Sequence, residues 1–388
     1  MARIYQEGFE TPLWDGEFKM NYDNYGKTPR TANTNYSFAL SSINSDANTE
    51  KYIRKIVFDE PRPNSLGKYS LKQVEATNPS SNHSGVLLFS NKAMFESAPT
   101  ELYLRMYLKV QDIPSNLGIV RVYNIDGISQ HTIGLYKSNG IMYIVPSNNG
   151  SFSTSYMIDR VQIPQNTWFK LDYHVKIAGS SNGGIVEVKI DDVLLLSKKC
   201  GTCSNSTQSF KIQQITFGYD SYTNKIGTDI WWDDIAVNDT NGDVNNSWCE
   251  DGSVLDMPVT SATTTQFTPS SGSNIENINS AITNDETYNS SQTVGHVDLY
   301  KVKDLDLDNS STVNAVTSVI RGKYSDISGG ATVSTIYKKD GTIIEQDGHL
   351  LKGSFAGYSS TMLENKSASE LEDIEIGYKL NAWSGLDG

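Results

Sequence analysis

Much of the chain alternates apolar and polar residues with the period of a β-strand. In the segment 168–177 every second residue is apolar, which predicts a strand with one buried face and one polar face. Comparable apolar segments lie at 101–110, 118–123, 141–145 and 185–190. No stretch of useful length in this part of the chain has helical periodicity. The pattern therefore predicts an all-β fold.

Turn residues separate these segments and predict hairpins. Asp191-Asp192 stands between two apolar runs, as in a tight two-residue hairpin. Asp340-Gly341 follows the alternating segment 332–338 and precedes Ile343-Ile344, which is the sequence signature of a primed turn. A short helix is predicted near 367–370.

A change in composition predicts where the first domain ends. The apolar segment 230–237 (IWWDDIAV) is followed by turn chemistry in 238–243. We therefore predict a β-sandwich over residues 1–245, a Ser- and Thr-rich linker over 246–270, and a smaller β-sandwich over 271–388.

Composition excludes several classes of protein. The chain has 388 residues and a formal net charge of −13, without clusters of Lys and Arg, which argues against nucleic-acid binding. Its 21 Tyr, 12 Phe and 6 Trp argue against disorder. No apolar run approaches the roughly 18 residues of a membrane span, and the first residues lack the apolar core of a signal peptide. We expect no membrane insertion and synthesis in a cytoplasm.

Motifs for catalysis are absent from the sequence. Retaining glycosidases need two carboxyl groups about 5 Å apart, and the Glu-x-Asp-x-x-Glu pattern of concanavalin-like glucanases does not occur. There is no Gly-x-Ser-x-Gly elbow and no phosphate-binding loop. The five histidines share no motif; they are His83, His131, His174, His296 and His349. From these absences we predict that the chain is not an enzyme.

Three cysteines are too few for a disulfide framework. Cys200 and Cys203 form a lone Cys-x-x-Cys, and zinc would need a second pair where only Cys249 remains. Free or locally paired thiols are the simplest interpretation, with a disulfide from Cys249 to one of the pair as an alternative.

Several segments together resemble one family of proteins. They are Gly8-Phe9-Glu10, 168–177 with Asp191-Asp192, 232–239, 268–274 and Asp298-Leu299-Tyr300. In this order they resemble tailed-bacteriophage virion structural proteins, which carry an N-terminal concanavalin A-like (laminin-G-like) jelly roll followed by a small β domain. The resemblance implies a concanavalin A-like jelly-roll β-sandwich followed by a smaller β-sandwich domain.

Calcium is the metal hypothesis for the predicted jelly roll, and carboxylates that are solvated or hydrogen-bonded to loop backbone are the alternative. Many carbohydrate-binding jelly rolls hold a structural Ca²⁺ where the first and last strands meet, bound by carboxylate and carbonyl oxygens. Glu10 and Asp234 resemble these ligands, with Asp233 as a further candidate. The acidic segment 304–308 alternates and is a second hypothesis for calcium. Otherwise no cofactor is expected.

Aromatic residues in predicted loops are candidates for sugar binding, because their flat apolar faces stack on pyranose rings while neighbouring polar groups accept hydroxyl hydrogens. The candidates are Trp14, Tyr22, Tyr25, Tyr219, Tyr222 and Asp220. For each single aromatic, packing in the protein is the alternative interpretation.

The expected function is that of a virion component on the capsid, the collar or the tail. One domain would attach to other virion proteins, and the lectin-like sandwich would face outward, where it could bind host-surface polysaccharide. Homo-oligomers are expected because virion sites are symmetric. Two alternatives stay open: a glycan-hydrolysing concanavalin-like enzyme, and an architectural cement protein without sugar binding.

Overall fold

The structure is a computed structural model of the chain. It describes the residues outside the ranges 1–2, 8–17, 20–54, 75–84, 89–92, 95–97, 114–115, 127, 150–153, 180–182, 204–208, 222–228, 279–285, 326–328, 354 and 385–388. The chain forms two compact units, with the division between Leu255 and Asp256.

Strands dominate the described part of the first unit. In chain order they are β1 (Arg3–Glu7), β2 (Phe18–Lys19), β3 (Lys55–Asp59), β4 (Ser70–Val74), β5 (Gly85–Leu88), β6 (Ala93–Met94), β7 (Glu101–Val110), β8 (Leu117–Asn124), β9 (Ser129–Ser138), β10 (Ile141–Ser147), β11 (Val161–Gln162), β12 (Trp168–Lys176), β13 (Gly184–Ile190), β14 (Val193–Cys200), β15 (Ile212–Ser221) and β16 (Ile230–Asn238). A single turn of 3-10 helix lies at Thr154–Tyr156.

These strands form two antiparallel sheets. The first sheet has the order β14-β13-β12-β7-β16-β4-β3-β2, with β1 also paired to β16. The second has the order β11-β10-β9-β8-β15-β5, with β6 paired to β15. The first and last strands of the unit are therefore neighbours, and the prediction of an all-β sandwich is confirmed.

The core of the first unit lies between the two sheets, and the alternation in the sequence places its residues correctly. On β12, Phe169, Leu171, Tyr173 and Val175 all belong to this core, which is built from apolar side chains of both sheets. Burial of alternate apolar residues is the physical reason why a period of two specifies a sandwich.

The predicted tight hairpins are present. Ile190 pairs with Val193, and Asp191 and Asp192 have φ angles of 47° and 68°. Asp340 and Gly341 have φ angles of 50° and 79° at a second such turn. A left-handed backbone at both central positions matches the right-handed twist of the flanking strands.

Residues 246–270, predicted as a linker, are distributed between the two units. Residues up to Leu255 belong to the first unit, where Val254 donates its backbone N–H to Asp234. The stretch Val259–Thr265 is an edge strand of the second unit.

The second unit is also built from strands. They are β17 (Val259–Thr265), β18 (Thr268–Pro269), β19 (Asn289–Ser290), β20 (Val297–Val302), β21 (Thr312–Gly322), β22 (Gly330–Lys339), β23 (Thr342–Leu350), β24 (Ala356–Ser367) and β25 (Glu375–Ser384), with the short helix α1 (Asn274–Ile278). A five-stranded sheet has the order β17-β20-β25-β22-β23, and two-stranded sheets join β18 to β19 and β21 to β24. A 3-10 turn at Ala368–Leu371 confirms the predicted short helix.

The acidic segment 304–308 is not part of a strand, so the expected alignment of its carboxylates on one face is wrong. Within the described ranges, no helix has the length and apolar character needed to cross a membrane.

Candidate functional site

Arg121 and Tyr123 lie together on the outer face of the second sheet. Their orientation follows from the strand between them: Val122 is in the core and pairs with His131, whose ring also lies inside the sandwich. Because side chains alternate along a strand, Arg121 and Tyr123 point to the opposite face. Both side chains are partly exposed, although the Nε atom of Arg121 is itself buried.

Polar and small residues surround this pair on the neighbouring strands. Thr132 of β9 is opposite Arg121, and Gln214 of β15 is opposite Tyr123. Thr132 is buried and donates a hydrogen bond from Oγ1 to the Asn149 carbonyl at 2.9 Å. This bond fixes the Thr132 hydroxyl. Thr132 is also smaller than its neighbours Arg121 and Tyr123 on this face.

A second pair of tyrosines extends the same face. Tyr136 of β9 is opposite Tyr143 of β10, with ring centroids 6.3 Å apart. The Arg160 guanidinium carbon lies 5.0 Å from the centroid of the Tyr143 ring. The two strands meet at a tight turn in which Asn139 and Gly140 have positive φ angles. From Thr132 to Tyr136 is four residues, which is about 13 Å along a strand.

Charge distinguishes this face from the rest of the chain. In the seven described strands of the second sheet, the single carboxylate side chain belongs to Asp220, although the chain as a whole carries a net charge of −13. Arg121 and Arg160 bring positive charge to the tyrosine-bearing face, and the Asp159 carboxylate lies near Arg160. Such a surface attracts anionic groups and provides tyrosine hydroxyls for proton transfer.

The outer face of the first sheet is different, because its charged residues are buried beneath the segment 248–254. Arg105 donates from Nε to the Asp234 carbonyl at 3.2 Å and from Nη1 to the Glu250 carbonyl. Asp172 is 3% exposed, and burial raises its pKa to about 6. These groups hold a covering segment in place, so this part of the face is not a site for a large ligand.

At the edge of this covered region, His174 lies between two carboxylates. Its Nε2 is 2.7 Å from Glu101 and its Nδ1 is 2.8 Å from Glu187. Tyr103 stacks on the imidazole with ring centroids 4.1 Å apart, and Trp248 contacts both rings edge-on. Burial, with the nearby charges of Glu101 and Glu187, raises the pKa of Tyr103 to about 12, which makes this hydroxyl a poor base near neutral pH.

The predicted calcium ligands are only partly brought together. Adjacent residues of a regular strand face opposite sides, but a register shift and a φ of +46° at Asp234 turn both carboxylates toward one residue. The Arg62 backbone N–H donates to Asp233 at 2.9 Å, and its Nε to Asp234 at 2.8 Å. Burial, and then the charge of Asp234, raise the pKa of Asp233. Glu10 lies outside the described residues.

No group of three or more His, Cys, Asp or Glu side chains in the described ranges is arranged to hold a metal ion. A calcium site that includes Glu10 stays a prediction. The three cysteines form no disulfide with one another, and both Cys203 and Cys249 are buried.

Most of the predicted sugar-binding residues lie outside the described residues; these are Trp14, Tyr22, Tyr25 and Tyr222. Tyr219 and Asp220 belong to β15 of the second sheet, where they pair with Leu87 and Val86 of β5. Their role in sugar binding stays a prediction.

The sequence-based site predictions do not include Arg121, Tyr123 and Tyr143, whose segments are predicted as strands, or Tyr136, whose segment is not among the predicted strands. A signal was present in the sequence. Arg-x-Tyr on one strand places two polar residues on a single face, and two tyrosines equidistant from an Asn-Gly turn must lie opposite each other in a hairpin.

Part of the first unit matches a known protein family. Residues 62–240 match a family model described as the Cip1-like core domain of polysaccharide-lyase-like proteins. This range includes Arg121, Tyr123 and the tyrosine pair. A comparison with curated proteins gives no match.

Solved structures of similar fold include the alginate lyase Aly36B, with 13% identity, 57% of this chain and 96% of that chain covered, and a TM-score of 0.33. The CBM2 module of the evolved Dit of Lactobacillus casei BL23 phage J-1 shares 14% identity over 61% of this chain and 95% of that chain, with a TM-score of 0.28. A carbohydrate esterase of the Shiga toxin-encoding bacteriophage phi24B shares 12% identity over 61% of this chain and 99% of that chain, with a TM-score of 0.33. These similarities concern the fold alone.

The prediction that the chain is not an enzyme is wrong. The family model matched by residues 62–240 is polysaccharide-lyase-like and points toward a carbohydrate-active enzyme. The prediction rested on missing motifs, above all the paired carboxylates of glycoside hydrolysis, and other ways of cleaving a polysaccharide do not need that pair.

Proposed function

We propose that the first unit cleaves an acidic, uronate-containing polysaccharide by β-elimination on the outer face of its second sheet. The observation that carries the proposal is that Arg121 and Tyr123 share one face of β8, in a sheet whose described strands contain one carboxylate. The match of residues 62–240 to a polysaccharide-lyase-like model supports the same chemistry.

Elimination suits these residue types. A base removes the proton at C5 of a uronate, which lies next to the carboxylate carbon, and the electron pair forms a C4–C5 double bond. The C4–O bond breaks, and the leaving oxygen takes a proton from an acid. Negative charge develops on the uronate carboxylate during this step, so a fixed cation beside it lowers the barrier. No pair of carboxylates is needed.

Each residue of the face has a defined part in this proposal. The Arg121 guanidinium binds the uronate carboxylate and stabilises the charge that develops there. The Tyr123 side chain lies on the same face, two residues along the strand. It takes the C5 proton as the base or gives a proton to the leaving oxygen as the acid. Tyr136 and Tyr143 provide ring surface for neighbouring sugars, with Arg160 available to a further carboxylate.

The test is a survey of polymers with the full chain. Alginate, polygalacturonate and glucuronan are incubated with the protein, and dextran serves as the neutral control. Elimination gives products with a C4–C5 double bond, which absorb in the ultraviolet, whereas hydrolysis gives new reducing ends without that absorbance. We expect absorbance and chain shortening together on at least one uronate polymer. New reducing ends without absorbance would favour the glycan-hydrolysing alternative and contradict the elimination chemistry.

A place on a bacteriophage particle is a separate proposal, supported by the order of segments that resembles tailed-phage virion proteins. In that setting the enzyme would act on host-surface polysaccharide, and symmetric homo-oligomers would present many copies. Immunogold electron microscopy of purified particles tests it. Label on capsid, collar or tail is expected, and unlabelled particles would contradict it.

A further inference from the structure

Aromatic rings lie beside positive charges at the end of the sheet formed by β21 and β24, where β21 ends and β24 begins. Phe355, just before β24, has the Lys323 ammonium 4.6 Å and the Arg321 guanidinium carbon 5.5 Å from its ring centroid. The ring of Tyr288 lies 6.5 Å from that of Phe355, inclined by 52°. We refer to Tyr288, Arg321, Lys323 and Phe355 as the aromatic–cation patch.

The backbone beneath the patch is held firmly. Tyr288 receives a hydrogen bond at its carbonyl from the Ser270 N–H at 2.8 Å, and its own N–H donates to Ser270 Oγ at 2.9 Å. Asn277 donates a further bond to the same carbonyl at 3.0 Å. Arg321 pairs with Gly357 in the ladder that joins β21 to β24. The rings are thus presented by a fixed scaffold, which lowers the entropy lost when a ligand binds.

These rings do not serve the interior of the unit. Tyr288 is 43% exposed, Phe355 is partly exposed, and neither belongs to the two hydrophobic clusters of the second unit. Lys323 is also exposed. In a protein of net charge −13, exposed aromatic side chains beside cations offer apolar ring faces and local positive charge to an anionic ring-bearing ligand.

We propose that the aromatic–cation patch binds a uronate residue of an acidic polysaccharide, so that the second unit acts as a carbohydrate-binding module. The rings of Tyr288 and Phe355 contact the apolar C–H face of the sugar, and Arg321 and Lys323 pair with its carboxylate. The choice of uronate as the ligand rests on the elimination activity proposed for the first unit.

Such a module increases the local concentration of substrate for the enzyme carried on the same chain. A polymer bound at the patch reaches the first unit as a tethered ligand, whereas an oligosaccharide too short to contact both units gains nothing. The patch should therefore affect binding and turnover of long polymers and leave cleavage of short fragments unchanged.

The experiment uses the full chain with two single substitutions, Phe355→Ala and Lys323→Glu. Affinity electrophoresis through gels containing alginate, polygalacturonate or glucuronan measures retention, with dextran gels as the neutral reference. Lys199→Glu, an exposed lysine of the first unit, is the matched control for the change in charge. Phe355→Tyr preserves the ring and tests whether stacking carries the effect. Thermal unfolding of each variant checks the fold.

We expect Phe355→Ala and Lys323→Glu each to weaken retention on a uronate polymer about tenfold, while Lys199→Glu and Phe355→Tyr remain close to the unmodified chain. Retention of both patch variants equal to that of the unmodified chain would overturn the inference. Equal retention on dextran and uronate gels would also overturn it, because the cations would then have no role.

The two proposals fail in different ways. Retention that depends on Phe355, without any cleavage, would contradict elimination by the first unit and support the patch. Cleavage that depends on Tyr123, with retention independent of Phe355 and Lys323, would support elimination by the first unit and contradict the patch.

Discussion

His131 of β9 accepts a hydrogen bond from the Tyr173 hydroxyl of β12 across the interior of the first unit, with 2.6 Å between Nε2 and the hydroxyl oxygen. The other ring nitrogen, Nδ1, is 2.9 Å from the Thr202 carbonyl oxygen, which can only accept. Nδ1 therefore carries the proton and Nε2 is the acceptor, so the neutral imidazole satisfies both partners. The bond joins the two sheets of the sandwich.

Protonation of His131 should destabilise the fold. Burial lowers the pKa of His131 from 6.5 to about 4, while the unfolded chain keeps the ordinary value. Between these values the unfolded state binds more protons, so stability falls as the pH decreases from about 6.5 to about 4. Full protonation of the buried His131 would lower the unfolding free energy by on the order of 3 kcal/mol relative to neutral pH.

The measurement is urea unfolding of the chain and of His131→Gln at pH 7 and pH 5. The difference in unfolding free energy between the two proteins should be smaller at pH 5, because only the chain with His131 is destabilised by protonation at this position. A difference that is the same at both pH values would contradict the assignment. Asp172 titrates with the opposite sign in both proteins and cancels in the comparison.

Trp248→Ala should loosen the covering segment of the first sheet. Trp248 contacts the rings of Tyr103 and His174 edge-on, and the Lys189 ammonium lies 3.9 Å from its ring centroid. Loss of this packing should lower the unfolding free energy by about 2 kcal/mol. Hydrogen exchange should increase along β12, which carries His174. Trp168→Ala, a half-buried tryptophan in the same strand, is the control, and equal exchange at His174 in both variants would contradict the prediction.

Asp298→Ala should strongly destabilise the second unit. One oxygen of the fully buried Asp298 accepts from the backbone of Gln266 and Phe267, and the other accepts from Tyr300, Tyr378 and Asn274 side chains at 2.8–2.9 Å. Removal of this shared acceptor leaves several buried donors unsatisfied and should lower the unfolding free energy by about 3–5 kcal/mol.

Calorimetry of Asp298→Ala beside Asp306→Ala checks this expectation. Asp306 is exposed and should tolerate the change. If the two variants unfold at the same temperature, the network around Asp298 does not hold the second unit together.

Tyr123→Phe should lower the rate of polymer cleavage by about 10²-fold with little change in binding, because it removes one hydroxyl on the outer face of the second sheet. Arg121→Lys keeps the charge and loses the planar pairing with a carboxylate, so it should raise KM as well as lower kcat. Tyr156→Phe, an exposed tyrosine outside this sheet's strands, is the control. Unchanged kcat in Tyr123→Phe would remove that residue from the proposed chemistry.

Several features of the fold could be predicted because they depend on local pattern. The alternation in 168–177 and the Asp191-Asp192 turn specify which residues are buried and where the chain reverses, and both agree with the structure. Asp233 and Asp234 could not be predicted in the same way. A register shift between β16 and β7 places them beside Arg62, which is 171 residues from Asp233 in the chain.

The candidate site shows the same division. That Arg121 and Tyr123 share a face is a consequence of strand periodicity and can be obtained from the sequence. Whether that face is accessible cannot be obtained from the sequence, because accessibility depends on which distant segment covers each sheet. On the first sheet, Glu250 and Asp251 lie over Arg105 and Lys170, so a row of charged residues that is equally regular in sequence is buried.

The sequence by itself determined that the chain would form antiparallel sheets with apolar inner faces, since burial of every second residue needs no information beyond the strand. Only the tertiary structure decided which outer face would be covered by residues 248–254 and which would expose an arginine and tyrosines. The physical reason is that desolvation of a polar face is set by contacts between residues far apart in the chain, and these do not appear in any local pattern.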